Sequence, residues 1–214
     1  MRKTLFTKGE YYHIYNRGND KRNIFKDPDD LLRFFQTMKE FNSEEKFGGL
    51  YMASFSLRGS TSKLVEFVAY CLNQNHYHFI IRPLVEDGIQ KFMHRLSTGY
   101  TMFFNKKYDR SGSLFQGRYK AVHIKTNEQL IHTSVYVNVN DRVHPDLNQS
   151  WLQKLPFSSF QEYKSEMKNG ICNASVVLSQ FRSKEEYCEH IEITLENILA
   201  KKTREKSLKK MLME

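Results

Sequence analysis

Apolar and polar positions along this 214-residue chain change period several times, and each change predicts an element. Residues 10–16, Glu-Tyr-Tyr-His-Ile-Tyr-Asn, are rich in aromatic and branched side chains, and the Arg17-Gly18-Asn19-Asp20 cluster closes them, so they read as a first strand. Asp27 then offers an N-cap and Pro28 a first helical position, ahead of Leu31, Leu32, Phe34, Phe35, Met38 and Phe41 at helical spacing. Residues 64–72 are nearly all apolar, as in a strand buried on both faces, and Asn73-Gln74-Asn75 turns the chain into a third strand from His76. Beyond Asp87-Gly88, Ile89, Phe92, Met93, Leu96, Tyr100 and Phe103 mark an amphipathic helix, and residues 117–124 read as a fourth strand. Between the first helix and the second strand, residues 43–63 read as a loop-like insertion with a strand at 50–57.

The order strand, helix, strand, strand, helix, strand is that of an α+β ferredoxin-like sandwich, an antiparallel sheet with two helices on one face. Thr126-Asn127-Glu128-Gln129 is a capping box that starts an extra helix, which would cover the other face. Residues 158–168 read as a short helix, and Ser183-Lys184-Glu185-Glu186 as the start of another running toward Ala200. We therefore expect a core domain over residues 1–147 and a helical C-terminal extension over 148–214, ending in a tail from Lys201 with six Lys or Arg and two Glu.

The chemistry sits in the second strand of the hairpin. In extended backbone alternate residues face one side, so His76 and His78 point together and their rings can share a metal ion, or be satisfied by hydrogen bonds on a half-exposed face. On the extra helix His132, Tyr136 and Asn140 recur every fourth residue, which aligns an imidazole, a phenol and an amide.

Charge narrows the partner. Lys and Arg number 33 against 24 Asp and Glu, a net +9, and residues 91–125 hold eight basic side chains against the single acid Asp109. This suits a polyanion such as nucleic acid. Arg95, Arg118 and Lys120 are candidate backbone contacts, the last two expected on one face of the fourth strand, with Arg17 beside the first. Tyr100, Phe103 and Phe104 could stack bases, but their helical spacing favours the core. His13 alternates with Tyr11 and Tyr15 and could approach the metal strand, but a sheet histidine is more often satisfied by hydrogen bonds. Cys71, Cys172 and Cys188 are three and widely spaced, which argues for reduced thiols. Without a membrane-length apolar run or a secretion signal, the expected location is the cytoplasm.

Asn-His-Tyr-His-Phe-Ile at 75–80, Ala69-Tyr70-Cys71-Leu72, Leu114-Phe115-Gln116-Gly117-Arg118-Tyr119 and Tyr136-Val137-Asn138-Val139-Asn140 together resemble the single-tyrosine HUH transposases, and most nearly the REP-associated tyrosine transposases. The likeness covers about residues 10–145. It implies that His76 and His78 ligate a divalent metal, Mg or Mn, and that Tyr136 attacks a scissile phosphate in single-stranded, hairpin-bearing DNA. A 5′-phosphotyrosine and a free 3′-hydroxyl would result. Asn140 falls where relatives carry a polar ligand, often Gln. Imidazole suits zinc as well. His132 is a candidate acceptor for the tyrosine proton. Relatives act as monomers or as homodimers, and the residues do not choose. Two other readings stay open: a non-catalytic nucleic-acid-binding module on the same sandwich, and a metal-dependent phosphodiesterase that activates water.

Overall fold

The computed structural model describes residues 5–44, 62–143, 158–165 and 170–211. Four strands form one antiparallel sheet: β1 (Tyr11–Arg17), β2 (Val65–Asn73), β3 (His76–Pro83) and β4 (Lys120–Ile124), in the order β2-β3-β1-β4. With α1 (Pro28–Glu40) and α2 (Gly88–Lys107) on one face, this is the expected ferredoxin-like sandwich. The predicted strand at 50–57 lies outside the described residues.

Local chemistry explains the boundaries. The Asp27 carboxylate accepts from the Asp30 N–H at 3.0 Å, and Asp30 reaches back to the Lys26 N–H at 2.8 Å, which ties the start of α1 to the residue before its cap. The β2–β3 turn narrows to Gln74 and Asn75, because Asn73 already pairs with His76. Gln74 O accepts from the Ile24 and Phe25 N–H groups, and Asn75 O from that of Gly18, which fixes the hairpin end against the loop after β1. Tyr12, Ile14, Tyr77, Phe79 and Ile81 face α1 and α2, where Phe34 meets the rings of Phe25, Tyr77, Phe79 and Tyr100. Tyr100 and Phe104 are core side chains, as their spacing predicts.

The other face carries α3 (Asn127–Val143), which packs on β2 and β3. Thr126 Oγ1 accepts from the Gln129 N–H at 3.2 Å, and Gln129 answers on the Lys125 N–H, one residue earlier than a regular capping box. Ser183 and Glu186 repeat this pattern at α6 (Lys184–Met211), which runs 11 residues past Ala200 into the basic tail. Two short helices precede it, α4 (Phe160–Lys164) and α5 (Ser175–Leu178), the latter without a sequence signal. This C-terminal region clamps the back of α3. Ser159 bonds β2 through Tyr70 and donates to Asn138 Oδ1 at 2.6 Å, while Tyr187 OH accepts from Asn138 Nδ2 at 2.9 Å and lies 3.2 Å from Ser134 Oγ. Wedged between sheet and C-terminal helices, α3 buries side chains on two sides, which is why its apolar stripe is poorly defined in sequence.

The fourth strand begins at Lys120, three residues later than expected. Gly117 takes φ +71°, a left-handed turn, so the alternation that would align Arg118 with Lys120 is broken. Arg118 lines a cavity of about 790 Å³ beside α2, whereas Lys120 faces the α3 side of the sheet. The basic run at 91–125 is likewise divided. Arg95 donates to Ser43 O beyond the end of α1, and Lys107 is bound by Asp27 and Asp30. The three cysteines are free thiols, and among the described residues no helix is long and apolar enough to cross a membrane.

Candidate active site

Cross-strand register builds the site. On the α3 face one row across the sheet reads Cys71, His78, Tyr15, Lys120, the next reads Asn73, His76, Arg17, and the row on the other side reads Ala69, Ile80, His13, Val122. His76 and His78 thus share a face as their spacing predicts, with ring centroids 5.1 Å apart and planes at 90°.

Each imidazole is held through Nδ1. His76 Nδ1 lies 2.6 Å from Asn75 Oδ1, and His78 Nδ1 lies 2.9 Å from His13 Nε2. Burial lowers the His13 pKa to about 4, so His13 stays neutral at ordinary pH and places no charge beside His78. Tyr15 stacks on His78 at 5.6 Å.

Over this face of the sheet lies α3. Along the predicted stripe His132 is exposed, Tyr136 half-buried and Asn140 fully buried. Tyr136 sets its ring edge-on to His78, centroids 5.5 Å apart at 87°, and to His13 at 6.2 Å. Burial raises its phenol above the usual range, and the Asn140 amide one turn on offsets part of that rise. His132 points to solvent, and no hydrogen bond joins it to Tyr136. Asn140 Oδ1 lies 3.0 Å from His76 Nε2 and accepts from Asn73 Nδ2 at 2.8 Å.

This donor set fits a hard divalent cation. Adjacent ligands about 2.1 Å from an octahedral cation stand about 3.0 Å apart, the separation of His76 Nε2 from Asn140 Oδ1. Among the described residues no three His, Cys, Asp or Glu side chains converge on one point. The candidate donors are two imidazoles with carboxamide oxygen, a set that would leave room for water and phosphate ligands.

Beside it opens a cleft of about 660 Å³ lined by Tyr15, Arg17, Lys21, His76, His78 and Lys120, among others. Lys120 Nζ stands 5.9 Å from the Tyr15 ring centre, and Arg17 Nε donates to Gln116 Oε1 at 2.6 Å. Three cations and an aromatic face next to a metal-competent cluster suit a phosphodiester chain.

A family model described as "Transposase IS200 like" matches residues 7–140, from before β1 to Asn140. The chain belongs to the IS200-like transposase family. In fold this transposase is similar to a solved structure described as a REP-associated tyrosine transposase bound to a REP hairpin, with a TM-score of 0.53 and 13% identity over 77% of this chain and 84% of that one. No curated protein matches it in sequence.

Of the residues singled out from sequence, His76, His78, Tyr136 and Asn140 are brought together, and Arg17 and Lys120 line the adjoining cleft. Arg95 and Arg118 lie on the α1–α2 side of the sheet, away from it. The sequence pattern gives no role to Asn73, Lys21 or Gln116, and it leaves His13 between a satisfied sheet histidine and an approach to the metal strand. His13 is satisfied, but by His78 itself. The signal for it was the strand order, which sets β1 beside β3.

Proposed function

We propose that this transposase cuts and rejoins single-stranded DNA through a covalent 5′-phosphotyrosine intermediate on Tyr136, with a divalent cation, Mg or Mn, held by His76, His78 and Asn140. Its substrate carries a DNA hairpin, as in the complex of the structural relative. On this reading residues 1–147 carry the chemistry, and 148–214 are an extension that braces α3. The observation that carries the reading is the convergence of α3 on β3, with His76 Nε2 3.0 Å from Asn140 Oδ1 and the Tyr136 ring edge-on to His78.

Held by His76, His78 and Asn140, a divalent cation would supply charge neutralisation at the scissile phosphate. Arg17, Lys21 and Lys120 draw the strand into the cleft and neutralise flanking phosphates. Tyr136 Oη attacks phosphorus, the P–O3′ bond breaks, and the tyrosine proton leaves as the 3′-oxygen takes one up. One phosphoester replaces another, so the 3′-hydroxyl can reverse the step without ATP. His132 lies on the exposed side of α3 and receives no role in this scheme.

The test is an adduct assay with Mn²⁺ and end-labelled hairpin DNA. Wild-type protein forms an SDS-stable adduct, and Tyr136→Phe forms none. Strand cleavage that persists in Tyr136→Phe overturns the reading in favour of water activation.

A further inference from the structure

Asn73 is the last residue of β2 and is completely buried. Its Nδ2 donates to Asn140 Oδ1 at 2.8 Å, lies 3.0 Å from His76 Nε2 and reaches Cys71 Sγ at 3.7 Å, while its Oδ1 has no hydrogen-bond partner. A carboxamide kept only for structure satisfies both ends, because an unmet buried carbonyl is unfavourable.

With His76 Nε2 and Asn140 Oδ1 3.0 Å apart, the three atoms form a triangle of edges 2.8, 3.0 and 3.0 Å. That is the size of one face of an octahedron with metal–ligand distances of about 2.1 Å. The oxygen and nitrogen of a carboxamide exchange places by a half-turn about the last torsion. For Asn73 that rotation leaves no hydrogen bond of Oδ1 behind.

We infer that Asn73 is a further protein ligand of the cation, turning Oδ1 into the corner that Nδ2 occupies, with His76 and Asn140 at the other two. The inference rests on the reading of His76, His78 and Asn140 as a cation site and adds a hard oxygen to it. Two carboxamide oxygens among the protein ligands favour Mg²⁺ and Mn²⁺ over Zn²⁺.

Mn²⁺ binding to the full-length protein without DNA, followed by calorimetry and by the electron paramagnetic resonance signal of free Mn²⁺, tests it. Asn73→Leu weakens Mn²⁺ at least tenfold without lowering the melting temperature measured in EDTA. Asn73→Asp, of nearly the same shape but able only to accept, binds Mn²⁺ as tightly as wild type or more tightly. Wild-type affinity in Asn73→Leu overturns the inference. So does an Asn73→Asp variant that loses as much as a His76→Ala control, since the N–H would then be the group that matters. If Asn73→Leu does not fold, the Asn73→Asp result decides. Equal Mn²⁺ binding by wild type and His76→Ala, or none by either, overturns the cation-site reading together with this inference.

Discussion

Replacing Tyr187 by Phe isolates one hydroxyl in the brace behind the tyrosine-bearing helix. Tyr187 is fully buried, as are Ser134, Asn138 and Ser159 around it. Phe at 187 keeps the stack on Tyr163, with centroids 5.0 Å apart, and the edge contact with Phe181 at 5.1 Å, so packing is preserved. Ser134 Oγ retains its bond to Ile131 O at 2.7 Å. What is lost is the acceptor for Asn138 Nδ2, now 2.9 Å away. An orphaned buried donor costs about 1–3 kcal/mol. The unfolding free energy of Tyr187→Phe should fall by that amount, read as a lower urea midpoint at an unchanged slope. Asn138→Leu removes the orphan itself, so the double variant should be less destabilised than the sum of the two singles. A Tyr187→Phe stability within about 0.3 kcal/mol of wild type, or a cycle that adds within the scatter of independent sites, would refute the brace.

His13→Phe keeps a ring in place but removes the partner of His78 Nδ1, and loss of such an orienting contact lowers metal affinity about 10- to 100-fold; Mn²⁺ titration reads it, and unchanged affinity would contradict the assignment. Arg17→Ala and Lys120→Ala should each weaken single-stranded DNA binding and reduce the salt slope by about 1, while Arg95→Ala, on the far face, leaves the slope unchanged; fluorescence anisotropy at several ionic strengths separates them. Asp27 sits below the usual carboxylate range, because hydrogen bonds from Lys107, the Asp30 N–H and Tyr108 outweigh the upward effect of partial burial. A lowered folded-state pKa means stability present above the unfolded value of 3.8 and lost as pH falls below it. Since Asp27 is 38% exposed, the loss is held to about 1 kcal/mol. Asp27→Asn, which still caps α1, should flatten that part of the stability–pH curve, and an unaltered curve would sink the assignment.

The sandwich was legible because its elements carry clean local signals: the Asp27-Pro28 start, the alternation from His76 and the Thr126 cap all appear where the pattern puts them. The pairing of His76 with His78 needs only the two-residue period of a strand. What the sequence hides depends on register and on third-dimension contacts. His13 reaches His78 because β1 lies against β3, a fact of strand order. Asn73 looks like a turn residue until Asn140 arrives from a helix 67 residues away. Arg118 and Lys120 appear as a pair at strand spacing, and only the positive φ of Gly117 parts them. The helix α3 has a weak stripe because it is covered from two sides, the second by a segment whose pattern does not announce its target.

The most direct test of the central claim is identification of the linkage. Wild-type protein is incubated with Mn²⁺ and hairpin-bearing single-stranded DNA, the adduct is digested with nuclease and protease, and the modified peptide is sequenced by mass spectrometry. The account predicts a nucleotide joined through its 5′-phosphate to Tyr136. A nucleotide on any other residue, or a hydrolysed 5′-phosphate end with no protein attached, would contradict it.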